Sequence, residues 1–186
     1  GITENDETGI MWYTKAAEQG DARAQHSLGT TYDSDGALGH GGRTRVQPDD
    51  KVAMIWYTRA ADQGFAIAQY RLGLMYDSGR AGEEDDKTAV MWYTKAAKQV
   101  SVDAQNQLGF KYNYGDGVPE DDDKALMWYT KAADQGNVYD QFRLALKYDL
   151  GDGIPVNDKA AVVWYTKAAE QGYAKAQFVL GVRYAN

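Results

Sequence analysis

The chain has 186 residues, of which 44% are hydrophobic and 12% aromatic, so it can bury a substantial core and is not expected to be disordered. Its formal net charge of −7 argues against nucleic-acid binding, which needs a basic surface, and against docking on an anionic membrane. Cysteine is absent, and no apolar run approaches the roughly 20 residues of a membrane-spanning helix. The lack of cysteine and of a signal-like N-terminus favours a cytoplasmic location over an oxidising one.

An eight-residue phrase, Trp-Tyr-Thr-Lys/Arg-Ala-Ala-X-Gln, is repeated along the chain, and its last three intervals are each 36 residues long. The five copies of this repeated phrase begin at Trp12, Trp56, Trp92, Trp128 and Trp164. A fixed period of this length indicates repeats that bury their apolar faces only by packing on one another. We therefore expect one solenoid domain over residues 1–186, with repeats at about 1–20 (partial), 21–64, 65–100, 101–136, 137–172 and 173–186 (partial). The partial repeats predict a fragment of a longer chain.

Two kinds of helix are predicted to alternate. The second-type helix begins with acidic residues, contains the repeated phrase and ends at a glycine, whereas the first-type helix carries the pattern Ala-X-Ala-Gln-X-X-Leu-Gly-X-X-Tyr. In chain order we expect about ten helices, from a second-type helix at 5–19 to a first-type helix at 173–185. An acid six positions before each Trp is predicted to be the helix cap or a first-turn residue: Asp6, Asp50, Asp86, Asp122 and Asp158.

A glycine recurs in the middle of the first-type helices, where it costs about 1 kcal/mol relative to alanine. We infer that another helix approaches these positions too closely for a Cβ atom. The glycines concerned are Gly29, Gly73, Gly109 and Gly181.

The two helix patterns and the Gly-X-Gly-Val-Pro loop together resemble the Sel1-like repeat, a relative of the tetratricopeptide repeat. The resemblance covers nearly the whole chain. It implies an all-α fold, a right-handed α/α superhelical solenoid of helix-turn-helix repeats. It also implies a concave face that binds peptides, helices or partner domains, formed by positions two, five, nine and twelve of the first-type helices.

Projecting these positions onto the chain gives candidate partner-binding residues, in which aromatic side chains act as anchors and two aspartates orient basic groups. An alternative is that positions five and nine pack in the core. The candidates are Ile67, Tyr70, Leu74, Asp77, Phe110, Tyr139, Phe142, Leu146, Asp149 and Phe178.

The copies differ at three places. The first loop is eight residues longer than its counterparts, and the inserted segment 37–47 carries the candidate contact residues His40, Arg43 and Arg45, unless it is simply a tolerated insertion. Val100 replaces the glycine that ends the other second-type helices, so it either avoids left-handed geometry or bears about 1–2 kcal/mol of strain. Asp140 replaces an alanine and must find a partner or turn outward.

The sequence offers no catalytic, metal-binding or cofactor-binding motif. Its histidines lack the spacing of a zinc site, and the Gly-Asp-Gly turns at 115–117 and 151–153 lack the residues of a phosphate loop. We therefore predict a non-enzymatic scaffold or adaptor that binds a peptide or helix of a partner protein, without nucleic acid, membrane insertion or cofactor. The alternative is a structural or oligomerisation segment of a larger protein that self-associates through uncapped ends.

Overall fold

The computed structural model describes residues 4–35, 46–80 and 82–185. Within these residues it contains ten α-helices and no strand, which confirms the all-α repeat fold. The first five helices are α1 (Glu4–Glu18), α2 (Ala22–Tyr32), α3 (Asp50–Asp62), α4 (Ala66–Asp77) and α5 (Asp86–Lys98). The other five are α6 (Val102–Tyr114), α7 (Asp122–Asp134), α8 (Val138–Leu150), α9 (Asp158–Glu170) and α10 (Ala174–Ala185).

The helices form two compact units, an N-terminal unit of residues 1–101 and a C-terminal unit of residues 102–186. Within each unit every helix packs on the next one along the chain. Odd-numbered helices are of the second type and even-numbered helices are of the first type, in the predicted alternation. None of the helices in the described ranges is both long and apolar enough to cross a membrane.

In the last four second-type helices the recurring acid is a first-turn residue, which is one of the two positions expected from the sequence. Asp50, Asp86, Asp122 and Asp158 are the first residues of their helices, where a negative charge suits the N-terminal dipole. The cap is the residue before each of them, whose side chain accepts a hydrogen bond from a first-turn backbone N–H: Asp49, Asp85, Asp121 and Asn157. Such a cap stabilises a helix by about 1 kcal/mol.

The mid-helix glycines leave room for a tyrosine of the next helix. A Cβ atom at Gly29 or Gly109 would lie 2.5 Å from the ring of Tyr57 or Tyr129, and a Cβ at Gly73 would meet the ring of Tyr93. These rings come from the second position of the repeated phrase. The expected close approach is therefore present at these three glycines, but beyond the neighbouring backbone of its own helix no atom of the described residues lies within 4 Å of a Cβ at Gly181.

The glutamine that ends the repeated phrase donates a hydrogen bond to a glutamine of the preceding first-type helix. In the N-terminal unit, the buried Gln25 donates to the Ala17 carbonyl oxygen at 3.0 Å and accepts from Gln63 at 2.8 Å. The same glutamine pair recurs in three further places: Gln99 to Gln69, Gln135 to Gln105 and Gln171 to Gln141. Identical contacts in each repeat identify these residues as scaffold.

The Trp of the repeated phrase is covered by the basic residue one turn later. In all five copies, the charged group lies 3.6 to 4.6 Å from the indole centroid. Such cation–π contacts contribute about 0.5–1 kcal/mol at exposed sites. The phrase therefore stabilises each second-type helix as well as the contacts between helices.

The corner after α5 is strained. Val100 has a φ of 67°, the positive value that its counterparts reach with glycine. A side chain with a Cβ atom is disfavoured there by about 1–2 kcal/mol. Of the two outcomes expected from the sequence, the structure shows left-handed geometry with strain.

Candidate functional site

The N-terminal candidates lie on α4. The Ile67 side chain is exposed, whereas Tyr70 and Leu74 are half-buried. The Tyr70 ring packs 5.9 Å from the ring of Tyr93, and the Asp77 carboxylate accepts a hydrogen bond from the Tyr93 hydroxyl at 3.1 Å. Three of these four candidates are thus partly engaged inside the repeat, and Ile67 extends outward.

The candidates Tyr139 and Phe142 lie at the start of α8. The half-buried Phe142 ring packs 5.5 Å from Tyr165 and 5.1 Å from Tyr173, at the edge of the core of the C-terminal unit. Tyr139 contacts the same Tyr173 ring at 5.5 Å but remains 66% exposed. Phe142 therefore contributes mainly to internal packing, and Tyr139 offers an accessible ring.

Phe110 of α6 and Leu146 of α8 come together at a cavity of about 330 Å³, which we call the α6–α8 cavity. Both helices expose apolar or aromatic side chains here, and the Phe110 ring packs at a tilt of 50° against the Tyr114 ring, with ring centroids 4.5 Å apart. The Tyr129 ring of α7 also lines the cavity. The full lining is Phe110, Asn113, Tyr114, Tyr129, Arg143, Leu146, Lys147, Leu150 and Asp152.

Two cations of α8 line this cavity. The buried Lys147 ammonium donates to the Asn113 side-chain oxygen at 2.5 Å and lies 3.6 Å from both Asp122 and Asp152. The exposed Arg143 donates to the Asn106 side-chain oxygen at 2.9 Å. Lys147 is thus balanced by two carboxylates, whereas the Arg143 charge faces solvent.

Asp140, the aspartate that replaces an alanine, is buried in α8 and has found a partner. One of its carboxylate oxygens accepts a hydrogen bond from the Asn106 amide, and the other oxygen has no hydrogen-bond partner in the described chain. Burial raises the pKa of Asp140, although the Asn106 hydrogen bond and the Arg143 charge oppose the rise. Of the two alternatives expected from the sequence, an inward orientation with a partner is observed.

The last two C-terminal candidates differ in their contacts within the fold. The Asp149 carboxylate accepts a hydrogen bond from Tyr165 at 3.0 Å and forms an ion pair with Arg183, so it is engaged within the fold. Phe178 on α10 is 71% exposed. The candidates His40, Arg43 and Arg45 fall outside the described residues.

Sequence reasoning missed the polar lining of the α6–α8 cavity. Arg143 and Lys147 occupy positions six and ten of their helix, which the tetratricopeptide analogy does not count as binding positions. One signal was available, because Lys111 and Lys147 stand where the same helix of an earlier repeat has the apolar Met75. A buried lysine at a position that is apolar in another repeat indicates a local network of charges.

A known protein family has repeats with nearly the same boundaries as those of this chain. The Sel1 repeat family model matches five consecutive segments of this chain: residues 1–21, 22–65, 66–101, 102–137 and 138–173. No functionally curated protein sequence matches the chain at a significant level.

Solved structures with the same fold come from several bacteria. The chain is similar to c5321, a protective antigen of uropathogenic Escherichia coli strains with an SLR fold, at a TM-score of 0.82 and 38% identity over 95% of this chain. It spans 36% of that antigen. A Sel1 repeat protein from Oxalobacter formigenes gives a TM-score of 0.80 and 32% identity, covering 97% of this chain and 71% of that protein. The immunity protein Pa5087 from Pseudomonas aeruginosa gives a TM-score of 0.53 and 25% identity, covering 90% of this chain and 59% of that protein.

The four matched segments from residue 22 onward each contain one first-type and one second-type helix. Sel1 repeat proteins are in general protein-interaction scaffolds and are typically non-catalytic. With five matched repeats and two relatives above 30% identity, the chain belongs to the Sel1 repeat family.

Proposed function

We propose that this chain is a non-enzymatic adaptor that binds an extended or helical segment of a partner protein at the α6–α8 cavity. The observation that carries the proposal is the cavity itself, in which the exposed Phe110 and the half-buried Leu146 meet beside the Arg143 charge. A cavity of about 330 Å³ that is lined by apolar and aromatic side chains together with charged ones is large enough for an anchoring side chain.

Exposed apolar side chains around the cavity support this function. Tyr114 and Leu150 line it and are largely exposed, and Tyr139 and Phe178 are exposed on the first-type helices of the same unit. Aromatic side chains carry most of the binding energy in many interfaces. Ile67, Tyr70, Leu74 and Asp77, and the loop residues His40, Arg43 and Arg45, remain predicted contacts.

A selection experiment tests the proposal without a known partner. Random peptides displayed on phage are selected against the wild-type chain, resynthesised with a fluorescent label and titrated by fluorescence anisotropy. The Phe110→Ala, Leu146→Ala double variant is expected to bind at least about tenfold more weakly, because it removes both apolar walls of the cavity. Circular dichroism and thermal unfolding establish that the variant is folded.

Met127→Ala is the matched control. Met127 lies on the second-type helix α7 and is 41% exposed, close to the 44% of Phe110, but it does not line the cavity. Its affinity for the selected peptides should stay within about twofold of the wild type. Equal losses in both variants, or none in the double variant, would remove the proposal.

A second candidate function, self-association or a structural role in a larger protein, has a separate observation behind it. The α10 helix exposes Phe178 and Tyr184, and the space beside Gly181 is open, whereas the equivalent space beside Gly109 holds a tyrosine ring. An exposed tyrosine of the repeated phrase, Tyr13, is available on α1 of another copy. Contacts of this type would join copies head to tail.

Light scattering over a range of protein concentrations distinguishes this candidate from the first. Self-association predicts a mass that rises with concentration and falls back in a Phe178→Glu variant, because a charge would then be buried between copies. A monomer at every concentration would count against it and leave the peptide-binding proposal intact.

A further inference from the structure

The corner that ends α5 departs from the other second-type helices at two neighbouring positions. Lys98 stands where the other four copies of the repeated phrase have an acid, and Val100 stands where they are followed by a glycine. The acids are Glu18, Asp62, Asp134 and Glu170, and the glycines are Gly20, Gly64, Gly136 and Gly172. We call Lys95, Lys98 and Val100 the α5 corner patch. All three residues belong to the N-terminal unit.

The backbone of this corner forms the same turn with valine as with glycine. The Val100 N–H donates to the Ala97 carbonyl oxygen at 3.1 Å, as the Gly64 N–H donates to that of Ala61 at 2.9 Å. Val100 also has a positive φ, at 67°, which glycine adopts without strain and valine does not. The valine therefore makes the corner less stable and leaves its path unchanged.

The Val100 side chain gains little packing within the chain. At the four glycine corners, a Cβ atom would have no atom of the described residues within 4 Å apart from its chain neighbours, so a side chain there extends into open space. Val100 is accordingly 63% exposed. Strained residues of this kind concentrate at functional sites, where a contact outside the isolated fold accounts for them.

The lysines beside Val100 carry charge that the chain does not neutralise. Lys95 and Lys98 lie three residues apart on one face of α5, and the Lys95 ammonium is held 3.8 Å from the centroid of the Trp92 ring. In the other copies the equivalent pair is a base and an acid, whereas here it is two bases, which repel each other. Both lysines are exposed, and neither forms an ion pair within the ranges that the structure describes.

The charge of the whole chain restricts the kind of ligand. A net charge of −7 repels an extended polyanion, such as nucleic acid or an anionic membrane, from most of the surface. A short acidic segment of a protein can pair with two lysines without approaching the rest of that surface. It can also place an apolar side chain against Val100.

We propose that the α5 corner patch binds an acidic segment of a partner protein. Glu or Asp side chains of this segment pair with Lys95 and Lys98, and an apolar side chain beside them packs on Val100. The patch belongs to the N-terminal unit, whereas the α6–α8 cavity belongs to the C-terminal unit, so each can bind without the other. With both surfaces, the chain can join two partners.

Peptide selection on a variant that lacks the cavity walls tests the patch. Random peptides displayed on phage are selected against the Phe110→Ala, Leu146→Ala double variant. The enriched peptides are synthesised with amidated C-termini and a fluorescent label, then titrated against the wild-type chain by anisotropy. We expect acidic residues next to an apolar one, and replacing the acids by Gln or Asn should lower the affinity at least about tenfold.

Val100→Gly separates binding from stability. It restores the glycine of the other corners and relieves the strained backbone, so the midpoint temperature of unfolding should rise by about 2–4 °C. The same variant should bind the selected peptides at least about fivefold more weakly, because the apolar contact is lost. A purely structural role for Val100 predicts the rise in midpoint temperature with unchanged affinity.

Lys98→Asp tests the charge of the patch. It introduces the acid that Asp62 and Asp134 provide in equivalent helices, and the selected peptides should bind at least about tenfold more weakly, with less dependence on salt. Lys159→Asp is the matched control, because Lys159 is exposed on the second-type helix α9 and the net charge changes equally. Its affinity should stay within about twofold of the wild type. A lysine in the last turn also suits the helix dipole, so affinity and not stability is the decisive readout.

Three results would overturn the proposal. The first is that no peptide is enriched on the double variant, or that the enriched peptides respond to neither Val100→Gly nor Lys98→Asp. The second is a loss in only one of these variants, which would exclude the combined apolar and acidic contact. The third is sedimentation of the chain with vesicles of phosphatidylcholine and phosphatidylserine that both substitutions abolish, which would assign the patch to a membrane surface. None of these results bears on the α6–α8 cavity, which its own titration tests.

Discussion

Among the residues whose burial is described, each of the two compact units buries one aspartate, and the surroundings of the two carboxylates differ. Asp33 in the N-terminal unit is fully buried, accepts from Tyr57 and from the Asp35 backbone N–H, and pairs with Arg80. Asp140 in the C-terminal unit is 3% exposed and accepts only from Asn106. Burial raises the pKa of both, but at Asp33 the Arg80 charge and the hydrogen bonds outweigh burial and lower it overall.

The comparison shows that partners, and not burial alone, decide whether a buried carboxylate stabilises this fold. Because the folded-state pKa of Asp33 lies below its unfolded value, Asp33 contributes stability above the unfolded pKa and loses it as pH falls through the folded pKa. The pKa shift of Asp140 has the opposite sign, so its contribution to stability depends on pH in the opposite direction. Its raised pKa gives stability that is present below the unfolded pKa and is lost as pH rises through the folded pKa.

The largest effect is expected when Asp33 loses its cation. Arg80→Met leaves a fully buried carboxylate without its ion pair and should lower the free energy of unfolding by about 3–5 kcal/mol at neutral pH. Urea unfolding measures the loss, which should shrink as pH falls and Asp33 becomes protonated. Arg59→Met is the control, because Arg59 is exposed and covers only Trp56, and a loss below about 1 kcal/mol is expected there. Equal losses in both variants would contradict the account of Asp33.

A smaller loss should follow when Asp33 itself is neutralised. Asp33→Asn introduces the residue that another repeat carries as Asn113 and keeps an acceptor for Tyr57. We expect about 2 kcal/mol less stability at neutral pH, since a hydrogen-bonded ion pair becomes a neutral contact. The variant should also lose less stability on acidification than the wild type, and an unchanged pH profile would show that Asp33 is not the titrating group.

Removing the Asp140 carboxylate should stabilise the fold, whereas the changes at Arg80 and Asp33 should destabilise it. Asp140→Ala restores the alanine of the other four repeats and should raise the free energy of unfolding by about 1 kcal/mol at pH 7. The gain should shrink as pH falls through the raised pKa of Asp140 and should be smallest at about pH 4, near the unfolded value, where the carboxyl of the wild type is neutral. Urea unfolding at both pH values measures it, and destabilisation at pH 7 would mean that the Asn106 hydrogen bond outweighs burial.

The smallest effect concerns a neighbouring charge. The Asp103 carboxylate contributes to the raised pKa of Asp140, although burial is the main cause. Asp103→Asn should therefore lower the pKa of Asp140 and stabilise the fold by about 0.3 kcal/mol, because Asp103 is exposed and its field is screened. NMR titration of the Asp140 side-chain carbon follows the change, and an unaltered or higher pKa would exclude this coupling.

The scaffold could be predicted from the sequence because the same helix and packing signals recur in successive repeats. The first helix was expected at 5–19 and lies at Glu4–Glu18, and the last was expected at 173–185 and lies at Ala174–Ala185. The mid-helix glycines also predicted a close approach, which the rings of Tyr57, Tyr93 and Tyr129 make. Periodic local patterns are sufficient for these features.

The buried charges and the cavity could be predicted only in part. The replacement of alanine by Asp140 was visible from the aligned repeats, but its partner Asn106 lies on another helix. Arg80 reaches Asp33 across 47 residues, from a position that has no repeated pattern. Such contacts depend on how helices from different repeats align, which periodicity alone does not determine.

In the proposed function, the repeated residues build the scaffold and the variable residues of α6 and α8 bind the partner. Backbone NMR spectra of the wild-type chain, recorded while a phage-selected peptide is added, test it most directly. We predict that the largest chemical-shift changes occur at Phe110, Arg143 and Leu146 and their neighbours along the α6–α8 cavity. Changes concentrated on the outer residues of second-type helices, such as Met91 and Met127, would contradict the claim.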